Sequence, residues 1–455
     1  MSEERPTTSA ESAEFVNERS ARAPLPTLFL TAFIDLLGFG LTIPLLPFYA
    51  QRYGASALQV TLLFASFSAM GFLFVPVWGE LSDRVGRRPV LLTSILATSI
   101  SMALLAVADS YPLLLLSRIL QGIMTANLST LQAYIADVTE PEDRGRAMGM
   151  IGAAFGLGFI LGPFFGGILA AYSFRAPALA AAALALFNFA LAIRNLPESL
   201  HLRKKAHSGS ESSGYREDPK EQELAHEPFG AKVIGRVLVR QATLKPLREA
   251  MANPTIAMLV LVFFLQTFAF TNFESTFALF TQDRFNFGSR ETGFLFGYIG
   301  LVVVIVQGGI YGRLSRKHSD LSLARAGMIL VSVAMLLLML LPGRPAAYAL
   351  APASPAEFVR RALPMWLFLP ISSVGSALIN PSLTAATSKR GSADKQGGTL
   401  GVQQSAGAFA RVVGPVTAGL AFDHLGSRAP MAVAAIGTAI AALLIGRIPA
   451  VKSEG

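Results

Sequence analysis

The chain contains no cysteine, which excludes a disulfide framework, thiol chemistry and any cysteine-based metal site. Charge is also scarce. Asp, Glu, Lys and Arg make up 15% of the 455 residues, against about 25% in an ordinary soluble domain. Histidine occurs at five positions only, His201, His207, His226, His318 and His424, none paired at metal-ligand spacing. No resident metal and no cofactor are therefore expected. The run G-x-x-x-x-G-K-[S/T] does not occur, which argues against ATP as a driving force. Residues 1–24 are rich in Ser, Glu, Thr and Arg without the apolar centre of a signal peptide, and read as a cytoplasmic tail. No polar stretch is large enough to hold a soluble catalytic domain, so an enzyme is not expected.

What fills the chain instead is apolar sequence: 52% of residues are hydrophobic and the mean hydropathy is +0.50. Twelve apolar segments approach the ~20 residues needed to cross a bilayer. They run over 27–50, 58–79, 89–108, 112–136, 147–171 and 174–196, then 254–281, 292–313, 323–342, 363–387, 399–421 and 429–447. The expectation is an all-α integral membrane protein with twelve transmembrane helices in two six-helix bundles. Its organisation reads as a disordered tail 1–26, a bundle 27–196, a cytoplasmic loop 197–253, a second bundle 254–447 and a tail 448–455. The loop begins polar and continues basic and partly amphipathic, suited to the inner membrane surface.

The net charge of +9 does not point to nucleic acid, because no basic, aromatic-interleaved patch stands apart from the spans. With the N-terminus inside, 28 of the 38 Lys and Arg residues fall on the cytoplasmic side and 8 on the other, Arg118 and Arg411 lying within spans. That asymmetry places both termini in the cytoplasm. The halves also echo one another. Gly149, Gly162 and Pro163 recur at constant offset as Gly401, Gly414 and Pro415, and Trp78–Ser82 is echoed by Tyr311–Ser315. Such duplication suits a transporter with its substrate site between the halves.

The densest polar feature is GELSDRVGRRP, Gly79 to Pro89, read as a tight charged loop between two spans. Gly79 and Gly86 permit close turns, and Asp83, Arg84, Arg87 and Arg88 set a carboxylate among guanidinium groups. A positive-inside anchor accounts for the charge alone. The order G-x-L-x-D-R-x-G-R-R-P resembles the signature loop between helices 2 and 3 of the major facilitator superfamily. The resemblance implies that Asp83, Arg87 and Asp137 form a charge cluster at the cytoplasmic surface. There it would latch the outward-open state and contact the start of helix 11. In the second half Arg316 stands where Asp83 stands in the first, so the second gate is expected to be weaker.

In span 5, Ala154, Gly158, Gly162, Gly166 and Ala170 recur every four residues, placing small side chains on one helix face. By spacing alone this is helix packing. The order G-x8-G-x3-G-P-x2-G-G, from Gly149 through Gly158, Gly162, Pro163 and Gly166 to Gly167, resembles the helix 5 motif of drug/proton antiporters. Pro163 removes a backbone donor and is expected to kink the helix where the halves meet. Arg118, with Gln121 and Gly122, resembles a motif implicated in proton coupling. Snorkelling toward the outer end is the other reading.

Two acids lie inside spans. Asp35, in D-x-x-G-x-G-x-x-x-P-x-x-P, looks like helix 1 of tetracycline/proton antiporters. A carboxyl out of water favours its neutral form, the property a proton carrier requires. A structural acid paired to a neighbouring helix is the alternative. Glu274 in span 7 is nearer the outer surface, and Arg411 in span 11 needs an acid or an anionic substrate group as partner. Asp35 and Glu274 are both candidates for it. The 32 phenylalanines read as lipid-facing bulk or as an aromatic wall for a lipophilic ligand.

The leading expectation is a proton-coupled antiporter exporting small amphipathic compounds, tetracycline-like or multidrug, by alternating access. It would act as a monomer in a bacterial cytoplasmic membrane, with protons, a small-molecule substrate and the bilayer as partners. In it Arg118 and Arg411 would tune the charge state of Asp35. The alternative is an importer or carrier of metabolites such as organic anions, with Arg411 binding the anion.

Overall fold

A computed structural model describes residues 25–139, 141–198, 248, 251–342, 345, 348–390 and 396–449. The expected N-tail, central loop and C-tail lie almost wholly outside these residues. The described residues form helices and no strand. The order is α1 (Leu25–Gln51, with a 3-10 turn at Ile43–Leu45), α2 (Ala57–Val85), α3 (Arg87–Val107) and α4 (Tyr111–Ile123, then Asn127–Val138). There follow α5 (Pro141–Tyr172), α6 (Ala176–Asn195), α7 (Pro254–Phe285) and α8 (Ser289–Leu314, with a π turn at Val306–Ile310). The chain ends with α9 (Asp320–Met339), a short helix Pro355–Arg361, α10 (Leu363–Ser388), α11 (Gln396–Leu425) and α12 (Ala429–Ile445). Ten are long and apolar enough to cross a membrane. The other two of the twelve are α4, split into halves of 13 and 12 residues, and α12 at 17 residues.

Helices are the form that hydrocarbon allows, because each backbone N–H and C=O is bonded within its own segment. Their ends are specified locally. Ser56 and Gln59 make a reciprocal capping box at the start of α2. Asn253 accepts the Thr255 and Ile256 N–H groups of α7, and Ser319 accepts Ser322 N–H in α9. The outer faces carry exposed apolar side chains such as Ile100, Phe187, Ile436 and Leu443, as a lipid-facing surface requires.

Within the first bundle α1 packs on α5 and α6, α3 on α6, and α2 on the first half of α4. Within the second, α9 packs on α10 and α12, and α7 on α11 and α12. The bundles join chiefly through α5 with α8 and α2 with α11. One end of the molecule, here the terminal face, is where α1 begins and α12 ends; the other is the opposite face. On the opposite face Leu279 of α7 and Phe422 of α11 enter the first bundle's cluster of Leu41, Leu45, Tyr49 and Leu63. Toward the terminal face a Cβ on Gly145, Gly149 or Gly152 of α5, or on Gly308, Gly309 or Gly312 of α8, would meet nothing within 4 Å.

The charged turn differs from its expected form. Gly79 through Val85 continue α2, and α3 starts at Arg87. Gly79 therefore makes no turn. The reversal rests on Gly86 alone, at φ 107°, a conformation that a side chain disfavours. Polar residues did not end α2 because a helix leaving the bilayer keeps its own backbone bonds whatever its side chains are.

Candidate functional site

The charged residues singled out from the sequence fall into two groups, one at the terminal face and one within the spans. At the terminal face Arg87 is the hub. Its guanidinium meets Asp83 at 2.7 Å and Asp137 at 3.0 Å, and donates to Ser82 Oγ at 2.6 Å. One turn of α2 supplies Asp83, and Val138 at the end of α4 brings Asp137 alongside. Arg87 is buried while the Asp83 side chain is 46% exposed, so the pair with Asp137 is the better shielded of the two. Arg84 pairs instead with Glu80 at 2.7 Å, and Arg88 donates to Ile193 O of α6 at 2.7 Å.

Glu198 belongs to this cluster and was not singled out from sequence. Its carboxylate accepts the backbone N–H groups of Arg87 at 3.0 Å and Arg88 at 3.3 Å. It thus caps α3, whose preceding residue, Gly86, has no side chain to do so. Tyr134 donates to Pro197 O beside it. The signal available in the sequence was an acid directly after Pro197, a residue that stops α6. What it would cap lies 111 residues away in the chain.

Inside the first bundle, α4 is broken at Met124–Ala126, where an uninterrupted span was expected. Ser94 of α3 makes good the lost helical bonds, donating to Met124 O and accepting from Ala126 N–H at 3.1 Å. The break puts Asn127 at the start of the second half, and its amide donates to Asp35 Oδ1 at 2.6 Å. Asp35 is half-buried. Among the described residues it has no ion pair, so its one close partner is a neutral amide. Phe39, one turn along α1, lies between Phe67 and Phe159 at ring distances of 5.5 and 6.3 Å.

Arg118 is 2% exposed, so it does not snorkel to the outer end. Its Nη2 reaches only Met102 Sδ at 3.8 Å, and its Nε has no partner. Gln121, a turn away and also buried, leaves its Oε1 without a donor. Gly122 brings α4 against the backbone of Phe67 in α2.

In the second bundle Arg411, midway along α11, is exposed yet partly removed from water by the surrounding helices. The charge that acts on it is Glu274 of α7, and Arg411 acts in turn on Glu274. They make no ion pair within 4.0 Å. Asp35 is bonded to Asn127. Of the two candidate acids for Arg411, Glu274 lies on α7, which packs on α11.

The glycine-rich helix α5 serves two neighbours. Gly158 and Gly162 lie against α1, where a Cβ on Gly162 would stand 2.6 Å from Gly40 Cα, and Gly166 lies against Leu41. Gly167 turns to α8, where a Cβ would stand 2.9 Å from Arg290 O and 3.2 Å from Gly293 Cα. Pro163 O faces the same Gly293. Gly149 meets nothing within 4 Å and takes no part in either contact.

Residues 28–358 match the family model of the Major Facilitator Superfamily. The mouse protein "major facilitator superfamily domain-containing protein 10" is 30% identical over 432 residues, 88% of this chain and 87% of that one. The class C tetracycline resistance protein of Escherichia coli is 29% identical over 392 residues, 85% of this chain and 86% of that protein. A crystal structure of the human organic anion transporter MFSD10 (TETRAN) aligns with a TM-score of 0.62 at 26% identity, over 94% of this chain and 99% of the other. Twelve spans in two bundles, charged groups within them and these matches lead to one assignment: the chain belongs to the major facilitator superfamily, and it is a membrane transporter rather than an enzyme.

Proposed function

We propose that the protein is a proton-coupled antiporter that exports small amphipathic organic compounds by alternating access, with both termini in the cytoplasm and one chain as the working unit. The observation that carries this reading is the setting of Asp35. It is a carboxyl inside a span, held by the neutral Asn127 at 2.6 Å and paired with no cation among the described residues. Such a group gains or loses a proton without breaking an ion pair, whereas a salt-bridged acid would stay charged. The aromatic group of Phe39, Phe67 and Phe159 beside it offers apolar surface to a lipophilic substrate.

In this cycle substrate enters from the terminal face, and Asp35 gives up its proton as the substrate settles. The bundles then rock about their shared seams, substrate leaves at the opposite face, and Asp35 takes a proton there before the return. The Asp83–Arg87–Asp137 cluster holds α2, α3 and α4 together as one rigid piece during the swing. The relatives include tetracycline and multidrug resistance proteins, which fits export.

A second reading is carriage of organic anions. Arg411 favours it, being exposed midway along its helix with Glu274 beyond ion-pair distance, and one relative of solved structure is an organic anion transporter. One experiment separates the two: proton movement in proteoliposomes on addition of a tetracycline, a lipophilic cation or an organic anion. Wild type is compared with Asp35→Asn. Proton release on adding an amphipathic compound, lost in the variant, is the expected result. Undiminished uphill transport by Asp35→Asn would overturn the proton-carrier role, and a response to the anion alone would favour the second reading.

A further inference from the structure

The opposite face holds a contact that the transport reading does not use. Asp423, near the end of α11, extends its carboxylate across the boundary between the bundles to the start of α2. Oδ1 accepts Ala57 N–H at 2.9 Å and Oδ2 accepts Leu58 N–H at 2.9 Å. The next donor, Gln59 N–H, is met within α2 by Ser56 Oγ at 3.3 Å. The first three N–H groups of a 29-residue helix are therefore shared between its own bundle and the other one. An anion at a helix N-terminus is favoured by both the free N–H groups and the helix dipole.

The neighbourhood is shaped to allow this reach. A Cβ on Gly419, one turn before Asp423, would stand 2.6 Å from Leu58 Cα, so the two helix backbones are nearly in contact. Phe422 and Leu279 seal the apolar cluster just beneath. Closed packing below and a bidentate polar clasp above form one unit at the mouth of the opposite face.

We infer that Asp423 is an inter-bundle latch: its carboxylate on Ala57 N–H and Leu58 N–H holds the opposite face shut, and it must let go before that face opens. The two bonds are of the kind that can do this. The bond to Leu58 is exposed to water and the bond to Ala57 partly so, water takes up both partners once they separate, and both bonds run between the bundles. Losing an N-cap carboxylate is typically worth about 1 kcal/mol, so its removal should raise the open fraction roughly fivefold.

The absence of native cysteine makes the test direct. Cysteines replacing Tyr172 and Leu350, both highly exposed at the opposite face on different bundles, carry spin labels, and their distance distribution is measured in lipid nanodiscs. The backgrounds are the otherwise unaltered chain, Asp423→Ala, Asp423→Asn and Ser56→Ala. The longer-distance population should rise roughly fivefold in Asp423→Ala and less in Asp423→Asn, which keeps one acceptor. It should be unchanged in Ser56→Ala, which weakens the α2 cap without touching the other bundle. Unchanged distances in both Asp423 variants would overturn the latch. So would an equal rise in Ser56→Ala, because fraying of α2 would then be the cause. Should Asp423→Ala fail to fold, Asp423→Asn and Ser56→Ala decide the matter between them.

Discussion

Gly293→Ala, at the seam of α5 and α8, should loosen the opposite face without harming either bundle. The added Cβ would stand 2.6 Å from Pro163 O, 2.8 Å from Gly167 Cα and 3.1 Å from Gly167 N. All three are backbone or backbone-adjacent atoms, so no side chain can rotate away. The carbon–carbon approach falls about 0.7 Å short of the ~3.5 Å at which contact becomes favourable. Overpacking of this kind costs about 1–3 kcal/mol in a rigid core. Here the strain crosses a boundary between two bundles, and parting them relieves it. The open fraction at that face should rise by about 5- to 150-fold. Leu279→Cys, as the single cysteine beneath the seal, reports opening through its labelling rate with a membrane-impermeant maleimide. The comparison variant is Gly158→Ala, whose Cβ would stand 2.7 Å from Leu36 Cβ inside the first bundle. It should lower the melting temperature and leave labelling unchanged. Labelling of Gly293→Ala at the parent rate would refute the reasoning. So would faster labelling of Gly158→Ala by a similar factor, since the seam would then not be what holds that face.

Two predictions concern the terminal face, besides those made above for Asp35 and Asp423. Arg87→Ala should cost about 3 kcal/mol, the lower end for removing one partner of a buried pair, because Asp83 remains partly solvated. Arg87→Lys should recover only part of this, since a point charge cannot serve Asp83, Asp137 and Ser82 together. Thermal unfolding of the purified transporter in one detergent measures both, and equal stability of Arg87→Lys and the parent would contradict the geometry. Glu198→Ala should cost about 1 kcal/mol, the usual value of an N-cap. Its hydrogen exchange should quicken in the first turn of α3; protection there at the parent level would remove Glu198 from the cluster.

The expected spans and the observed helices agree in number and mostly within a few residues, because an apolar run of bilayer length has one way to satisfy its backbone in hydrocarbon. The exceptions are physical. α2 runs six residues past its expected end at Gly79, since a helix can leave the membrane without unwinding. α4 breaks at Met124–Ala126 because Ser94 on α3 supplies the missing bonds, a partner 30 residues away in the chain. Thr125 and Asn127, weak helix formers in an apolar segment, were the local trace of it.

Sequence alone determined that the chain spans a membrane in two halves of six helices, and that Arg87, Asp35 and the α5 glycines carry unusual chemistry for such a setting. The spans and Asp35 rest on composition, period and cost of burial, which are local; the weight given to Arg87 and the α5 glycines rests on their resemblance to family motifs. Only the tertiary structure decided which groups meet: Asp35 with Asn127, Glu198 with the start of α3, and Asp423 with the start of α2. Each pairing joins residues at least 92 positions apart, the last 366. Residue types say that a buried charge or an open helix end needs a partner. The packing of helices chooses it.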